Sequence, residues 1–332
     1  SNGLVGADLY GAHYPTPTDG YAVGDHGTLL RTTNGGASWS LLPNALLETR
    51  PALRDVRFIS ATDGLMVGLN GFAAFTTNSG TSVTSITGLG ADHLYGAGFD
   101  GTNFYLGGST NDGTTGRLYT RAGLDASGWN QVADTRTAAD LTCGQATATD
   151  IYVAGHYGVL LHSSDGAQWT TRRTGTTWDF IDVAFRNADH GVAILDSVGE
   201  RGVLRHTTDG GATWHPVADL PHSDLRDLYL VRTSPVTEVL AVGAGGRVFR
   251  LFLGVNDDNV ATMGWAQVQG LGTTADLTRC WAAYEGTALR AMIVNNSTAY
   301  ISLDLTAQPV AWTTHTLGAW QATDVLGSCS GG

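Results

Sequence analysis

Short runs of alternating apolar and polar residues recur along the whole chain, broken by Gly, Asp or Asn. Asp55-Val56-Arg57-Phe58-Ile59 and Asp182-Val183-Ala184-Phe185 show the period-two alternation of strands with one face in a core. Between such runs one stretch returns. It reads Thr207-Thr208-Asp209-Gly210-Gly211-Ala212-Thr213-Trp214, and again Thr32-Thr33-Asn34-Gly35-Gly36-Ala37-Ser38-Trp39. Thr76-Thr77-Asn78-Ser79-Gly80-Thr81-Ser82-Val83 is a third copy, and Ser163-Ser164-Asp165-Gly166-Ala167-Gln168-Trp169 is one residue shorter. This is the chemistry of a tight turn between strands. The side chains of Asn34, Asn78, Asp165 and Asp209 accept hydrogen bonds from the turn's own amides, and the glycines adopt positive φ without strain.

Each repeating unit reads as a short strand, an Asp-Gly turn, a strand ending in Val-Gly or Ala-Gly, a small polar loop, a third strand, then the Asx turn and Trp. Units span approximately 9–42, 53–86, 94–132, 141–172, 180–217, 225–268 and 277–317. Their closing positions are 39, 83, 129, 169, 214, 265 and 312, all Trp except Val83. A spacing near 45 residues with four short strands per unit predicts propeller blades rather than solenoid turns. The expected fold is all-β: one domain over 1–332, a seven-bladed β-propeller with four-stranded antiparallel blades. Trp320-Gln321-Ala322-Thr323-Asp324-Val325 matches the opening of the fifth unit, Trp178-Asp179-Phe180-Ile181-Asp182-Val183, so 320–328 is expected to close the ring. Eight blades, one of them incomplete, is the alternative. Each closing Trp is expected in the core, where about 200 Å² of buried surface contributes on the order of 5 kcal/mol.

Composition agrees: 45 Gly and 14% charged residues suit many turns between short strands, and 42% hydrophobic residues suffice for a core. All 18 basic residues are Arg, which excludes P-loop lysines and Schiff-base chemistry. A formal charge of −12 disfavours nucleic acid and anionic membranes. No apolar run is long enough to span a bilayer. Ser1-Asn2-Gly3 reads as the start of a mature or trimmed chain, with a signal peptide already removed. Cys143, Cys280 and Cys329 lack zinc-ligand spacing; Cys280 and Cys329 are either a pair or, with Cys143, three small buried apolar residues.

The Ser/Thr-x-Asp/Asn-x-Gly-x-x-Trp turn resembles the Asp-box, or BNR repeat, of sialidases, xyloglucanases and sortilin-type receptors. With Gly20-Tyr21-Ala22-Val23-Gly24 and Gly27-Thr28-Leu29-Leu30-Arg31-Thr32-Thr33, units one and five look most like the photosystem II assembly and stability factor family. That family has many bacterial relatives in secreted or periplasmic settings. The resemblance covers essentially the whole chain, strongly in units one and five and weakly in units three, six and seven. It implies a non-catalytic, exported scaffold that docks a partner protein on an arginine-bearing face. No individual family residue beyond the repeat motif can be matched here, and one fold hosts many functions.

Loops between second and third strands share a face with the blade-to-blade connections, opposite the Asx turns. Scaffolds present function on such loops. The candidates there are Asp25 and His26, Arg54, Asn70, Asp112, His156 and Tyr157, Arg201, Arg247 and Asn296. Imidazole, amide, carboxylate and guanidinium together suit a polar or anionic group, and a wide Arg patch would favour an acidic partner. No third ligand accompanies His26 and His156, so neither metal nor cofactor is expected. Asp257-Asp258 lacks the Gly and distant Glu of a calcium loop. Only four Glu are present, the Arg-Ile-Pro signature of sialidases is missing, and no nucleophile elbow or zinc motif appears. Catalysis is therefore not expected. The runner-up is a carbohydrate-binding module gripping sugar through Tyr157, and the third reading is a glycoside hydrolase. The chain is expected to be a monomer or one subunit of a larger assembly.

Overall fold

The computed structural model describes residues 8–316 except 45, 133–138, 147–149, 198, 218–219, 222–223, 233–236, 254–263, 296–297 and 303. Seven four-stranded antiparallel sheets follow one another along the chain, each built from four consecutive strands. Blade one holds β1 (Leu9–His13), β2 (Gly20–Gly24), β3 (Thr28–Thr32) and β4 (Ser40–Leu41). Blade two holds β5 (Leu53–Phe58), β6 (Gly64–Gly68), β7 (Ala73–Thr76) and β8 (Thr84–Ser85). Blade three holds β9 (His93–Phe99), β10 (Asn103–Ser109), β11 (Gly116–Ala122) and β12 (Asn130–Gln131). Blade four holds β13 (Leu141–Ala146), β14 (Ile151–Gly155), β15 (Leu160–Ser163) and β16 (Thr170–Arg172). Blade five holds β17 (Asp179–Phe185), β18 (Gly191–Ser197), β19 (Glu200–Thr207) and β20 (His215–Pro216). Blade six holds β21 (Leu225–Arg232), β22 (Thr237–Gly243), β23 (Arg247–Leu253) and β24 (Gly264–Gln267). Blade seven holds β25 (Arg279–Glu285), β26 (Ala288–Val294), β27 (Thr298–Ser302) and β28 (Thr313–Thr316). The seven-bladed, four-stranded architecture expected from the repeats is the observed one.

Burial follows strand order. The second strands are sandwiched on both faces: β2, β6, β14 and β22 are buried at every residue. The fourth strands of blades one, two, three and five are two residues long and exposed, which leaves little unpaired edge for aggregation. The apolar clusters lie between neighbouring blades rather than within one. Leu225, Leu228 and Val239 of blade six pack against Val192, Ile194 and Leu204 of blade five, for example. The closing residues enter these wedges. Val83, Trp129, Trp169, Trp214, Trp265 and Trp312 each pack at the seam with the preceding blade. Trp39 fills the seam between blades one and seven at 0% exposure.

The Asx turns set these indoles. Thr207 Oγ1 accepts from the Gly211 amide at 2.9 Å, and Asp209 Oδ1 accepts from the Thr213 amide at 2.9 Å. Thr32 with Asn34, and Thr76 with Asn78, repeat that pattern. Asp165 in the shorter turn takes the amides of Ala167 and Gln168. Two of the turns then present a carbonyl to their own indole: Trp214 Nε1 donates to Gly211 at 3.0 Å and Trp169 Nε1 to Gly166 at 3.2 Å. Gly36, Gly80 and Gly211 sit at φ of 88°, 80° and 87°, a region closed to most L residues.

Blade seven has four strands within 279–316, and blades one and seven meet side by side. Tyr14 stacks on Trp281 with centroids 4.3 Å apart, and Arg279 Nε donates to the Tyr10 carbonyl at 2.9 Å. The closing segment expected at 320–328 lies outside the described residues, as do Cys329, Asn296 and Asp257-Asp258. Cys280 is a fully buried thiol with Sγ 3.8 Å from the Leu240 carbonyl.

Candidate functional site

Two features converge on the loop face: a ring of tips held at fixed positions, and the mouth of the central lumen. The tips follow one pattern in four blades, Gly-x-x-Gly, with the third residue left-handed. His26, Asn70, Tyr157 and Gly245 have φ of 59°, 57°, 55° and 67°. The first glycine lies beneath the chain entering its own blade; a Cβ on Gly155 would stand 1.8 Å from the Asp140 carbonyl oxygen. The second lies against the entry to the next blade; a Cβ on Gly158 would stand 2.0 Å from the Thr176 oxygen. The next blade also holds the tip amide in three cases. Asn70 donates to His93 Nδ1 at 3.1 Å, Tyr157 to Asp179 Oδ1 at 2.7 Å, and Gly245 to Asp276 Oδ1 at 3.2 Å. The tips are thus rigid display points.

Tyr157 stands apart among them. Its ring is 68% exposed. It borders an open groove of about 560 Å³ that runs along 171–178 and is walled by Arg173 and Trp178. Arg205 lies over the Trp178 ring, 5.1 Å from its centroid.

The other sequence candidates are distributed around this face. Asp25, Arg54 and Tyr10 form one cluster: Arg54 Nη1 is 3.2 Å from Asp25 Oδ1, the guanidinium sits 4.0 Å over the Tyr10 ring, and the Tyr10 hydroxyl donates to Asp25 at 3.0 Å. Arg54 is therefore engaged by neighbours and only partly exposed. Asp112 closes its own loop, accepting from the Thr110 and Thr114 hydroxyls at 2.6 and 2.8 Å, and these bonds hold its carboxyl below the usual range. His26 is exposed, His156 is half-buried beneath Tyr157, and Arg247 is half-buried at the start of β23. Arg201 is the freest of the arginines considered, with 74% of its side chain exposed and only a 3.8 Å contact to Asp196. Among the described residues no group of three or more His, Cys, Asp or Glu is placed to hold a metal ion.

Below the mouth, the first strands line the lumen, and here lie functional-looking residues that sequence reasoning passed over. Asp55, Asp182 and Asp227 occupy one register position in blades two, five and six. Each reaches across a seam. Asp55 Oδ2 accepts from the Ala97 amide at 2.8 Å, Asp182 Oδ2 from Leu228 at 2.8 Å, and Asp227 Oδ2 from Cys280 at 2.7 Å. One level deeper, His13 Nδ1 accepts from Phe58 at 3.3 Å, and Gln145 Oε1 accepts from Phe185 at 2.5 Å. Arg279 occupies the aspartate position in blade seven and hooks blade one through Tyr10. Blade three has Gly96-Ala97-Gly98 there, and among the described residues no such hook joins it to blade four.

The lumen's electrostatics follow from this enclosure. Burial raises the pKa of Asp55 against the amides that hold it. Burial, then the neighbouring Asp227, pushes Asp182 up to about 8. Burial raises Asp227 to about 6, with Arg279 pulling the other way from 3.7 Å. Burial works against the charge of Arg279, but Asp227, Asp182 and Asp55 outweigh it and raise its pKa. Cys143 lines the same wall, its thiol pushed well up by burial and then by Asp182, which works against thiolate formation.

No curated protein matches the chain. Among solved structures, YCF48 bound to D1 peptide is similar at 16% identity over 74% of this chain and 94% of that one, with a TM-score of 0.54. The computationally designed Ika8 protein is similar at 11% identity over 93% and 87%, with a TM-score of 0.61. At these identities the likeness is one of fold. A family model for the DUF6242 β-propeller domain matches residues 99–314, well over half of the sequence, and the chain belongs to that β-propeller family.

Proposed function

We propose that the protein is a non-catalytic, exported scaffold that docks a partner protein on its loop face, with Tyr157 as the anchor. One observation carries this reading: a large aromatic ring is displayed, 68% exposed, from a left-handed position. Left-handed backbone costs a non-glycine residue roughly 1–2 kcal/mol. Exposing the ring returns nothing to folding, whereas glycine, as at Gly245, fits the same tip freely. Clamped tyrosines beside a groove have the rigidity that makes aromatic residues effective binding anchors. A propeller of similar fold, YCF48, has been captured with a D1 peptide, which supports a protein ligand. Export and the Asp-box character of the turns belong to this reading, and Arg173 and Arg201 would favour an acidic surface on the partner.

The test is site-specific photo-crosslinking from position 157 in the native host, with position 208 on the opposite, Asx-turn face as control. One partner protein crosslinked from 157 alone, and lost from pull-downs by Tyr157→Ala at unchanged melting temperature, is the expected result. Crosslinks from 208 only, or capture of polysaccharide from 157, would overturn it in favour of another face or of the sugar-binding reading. Cell fractionation checks export separately.

A further inference from the structure

The lumen has a second use written into its walls. It has about 140 Å³ open to water. At about 10–15 Å³ per water this is room for roughly ten waters, or a ligand of about nine non-hydrogen atoms. The space widens because blade three presents Gly96 and Gly98 to it; a Cβ on Gly98 would meet nothing within 4 Å, and one on Gly96 only the Thr142 carbonyl at 3.9 Å. Behind that bare wall Gly107 leaves room against the seam between blades three and four, where a Cβ would meet nothing nearer than the Leu141 carbonyl and Val153 at 3.7 Å.

The polar end is set opposite. Arg279 and Asp182 stand at the same register level in blades seven and five. The ring surrounds Arg279, yet 40% of its side chain is accessible from the lumen. Its Nε and Nη1 are engaged by the Tyr10 and Thr278 carbonyls, and among the described residues no hydrogen bond is made by Nη2. Asp227 has Arg279 at 3.7 Å, while among the described residues no ion pair includes Asp182. Asp182 accepts one backbone amide on each oxygen, at 2.8 Å, which leaves a lone pair on each.

A simple anion entering this lumen meets the carboxylates of Asp55 and Asp227, and a simple cation meets Arg57 and Arg279. Asp182, which the empty lumen holds protonated, gives up its proton to solvent when an ammonium takes that proton's place beside it. Only a ligand carrying both signs is matched on both sides, and the apolar seam asks for a short aliphatic tail. We infer that the central lumen binds a free aliphatic α-amino acid, its carboxylate at Arg279, its ammonium at Asp182 and its side chain in the seam between blades three and four. Entry is from the loop face past Tyr10 and Tyr95 at the mouth. The site is separate from the Tyr157 groove, so the two readings stand or fall independently.

The test is calorimetric titration of the full chain with L-leucine. Isoamylamine lacks the carboxylate, 4-methylpentanoate lacks the ammonium, and glycine lacks the tail. Saturable binding of leucine, weakened at least tenfold in each of the three analogues, is expected. Asp182→Asn and Arg279→Gln should each weaken leucine at least tenfold. Because those residues also tie seams together, Gly98→Val provides an independent block: it fills open space without touching a charge, and should abolish binding at unchanged melting temperature. Tyr157→Ala should change nothing. Equal binding of isoamylamine or of glycine, leucine binding that survives Gly98→Val, or no saturable binding at 10 mM (about a millimolar-class limit) would overturn the inference.

Discussion

Replacing Asp182 by Ala probes the carboxylate hooks that join the blades around the lumen. The side chain holds the Val183 amide at 2.8 Å and, across the seam, the Leu228 amide at 2.8 Å; both residues are buried. Leaving one buried N–H unsatisfied costs about 1–3 kcal/mol. Lumen water reaches part of this position, so the pair together should cost about 2–4 kcal/mol near neutral pH. For a chain of 332 residues, an unfolding entropy of about 2.1 cal/mol/K per residue converts this to a fall in melting temperature of roughly 3–6 °C. The pH dependence is the sharper signature. Asp182 and Asp227 have folded pKa values of about 8 and about 6, both above the ordinary 3.8, so between these limits the folded state keeps protons that the unfolded chain has released. Stability therefore falls as pH rises, by at most about 1.4 kcal/mol per pH unit for each proton of difference. His13 and His206 act oppositely, since burial lowers their pKa values and the unfolded chain takes up their protons below about 6.5. The clean window is thus pH 6.5 to 8 (about the range between those limits). Urea unfolding across it should show wild-type stability declining with pH and Asp182→Ala nearly flat, so that the mutational penalty shrinks toward pH 8. A variant within about 1 °C of wild type, or one with the same pH slope, would refute the reasoning.

Three further outcomes follow from the same geometry. Tyr157→Gly should hold or raise stability by about 1 kcal/mol in thermal unfolding, because φ of 55° suits glycine, while partner capture is lost. Gly158→Ala should destabilise by about 2 kcal/mol or more, since its Cβ would collide with the Thr176 carbonyl at 2.0 Å from a φ of 73°; unchanged unfolding would show that the tip is not clamped. Trp39→Ala should cost about 3–5 kcal/mol and exceed Trp214→Ala, because Trp39 is fully buried where blades one and seven meet and Trp214 is only partly covered; the reverse order by denaturant titration would contradict the seam assignment.

What the sequence disclosed and what it concealed have a common physical cause. A blade cannot bury its faces alone, so each repeat must carry the same turn, the same glycines and the same wedge-filling indole, and Thr207 to Trp214 repeats legibly for that reason. The lumen hooks are made by the same repeat but were hidden by their form. Asp55-Val56 and Asp182-Val183 read as ordinary alternation, because an aspartate on a strand is taken for a solvent-facing residue. Its true role shows only once closing the ring turns that face inward and brings the next blade's amide to 2.8 Å. A carboxylate recurring at a fixed offset before an apolar pair, in strands otherwise buried, was the available signal. Arg279 could not be found that way at all, since it replaces the aspartate in a single blade and answers to Asp227 from the blade before, 52 positions earlier in the chain. The loop-face candidates divide for the same reason. Spacing put Arg54 and Asp25 among the loop-face candidates, but their mutual contact at 3.2 Å, which engages each with the other, depends on how adjacent blades meet. Position along a repeat is thus legible in one dimension; availability for binding is decided at seams, and the residues left available there, Tyr157 above all, are those the seams hold by their backbone alone.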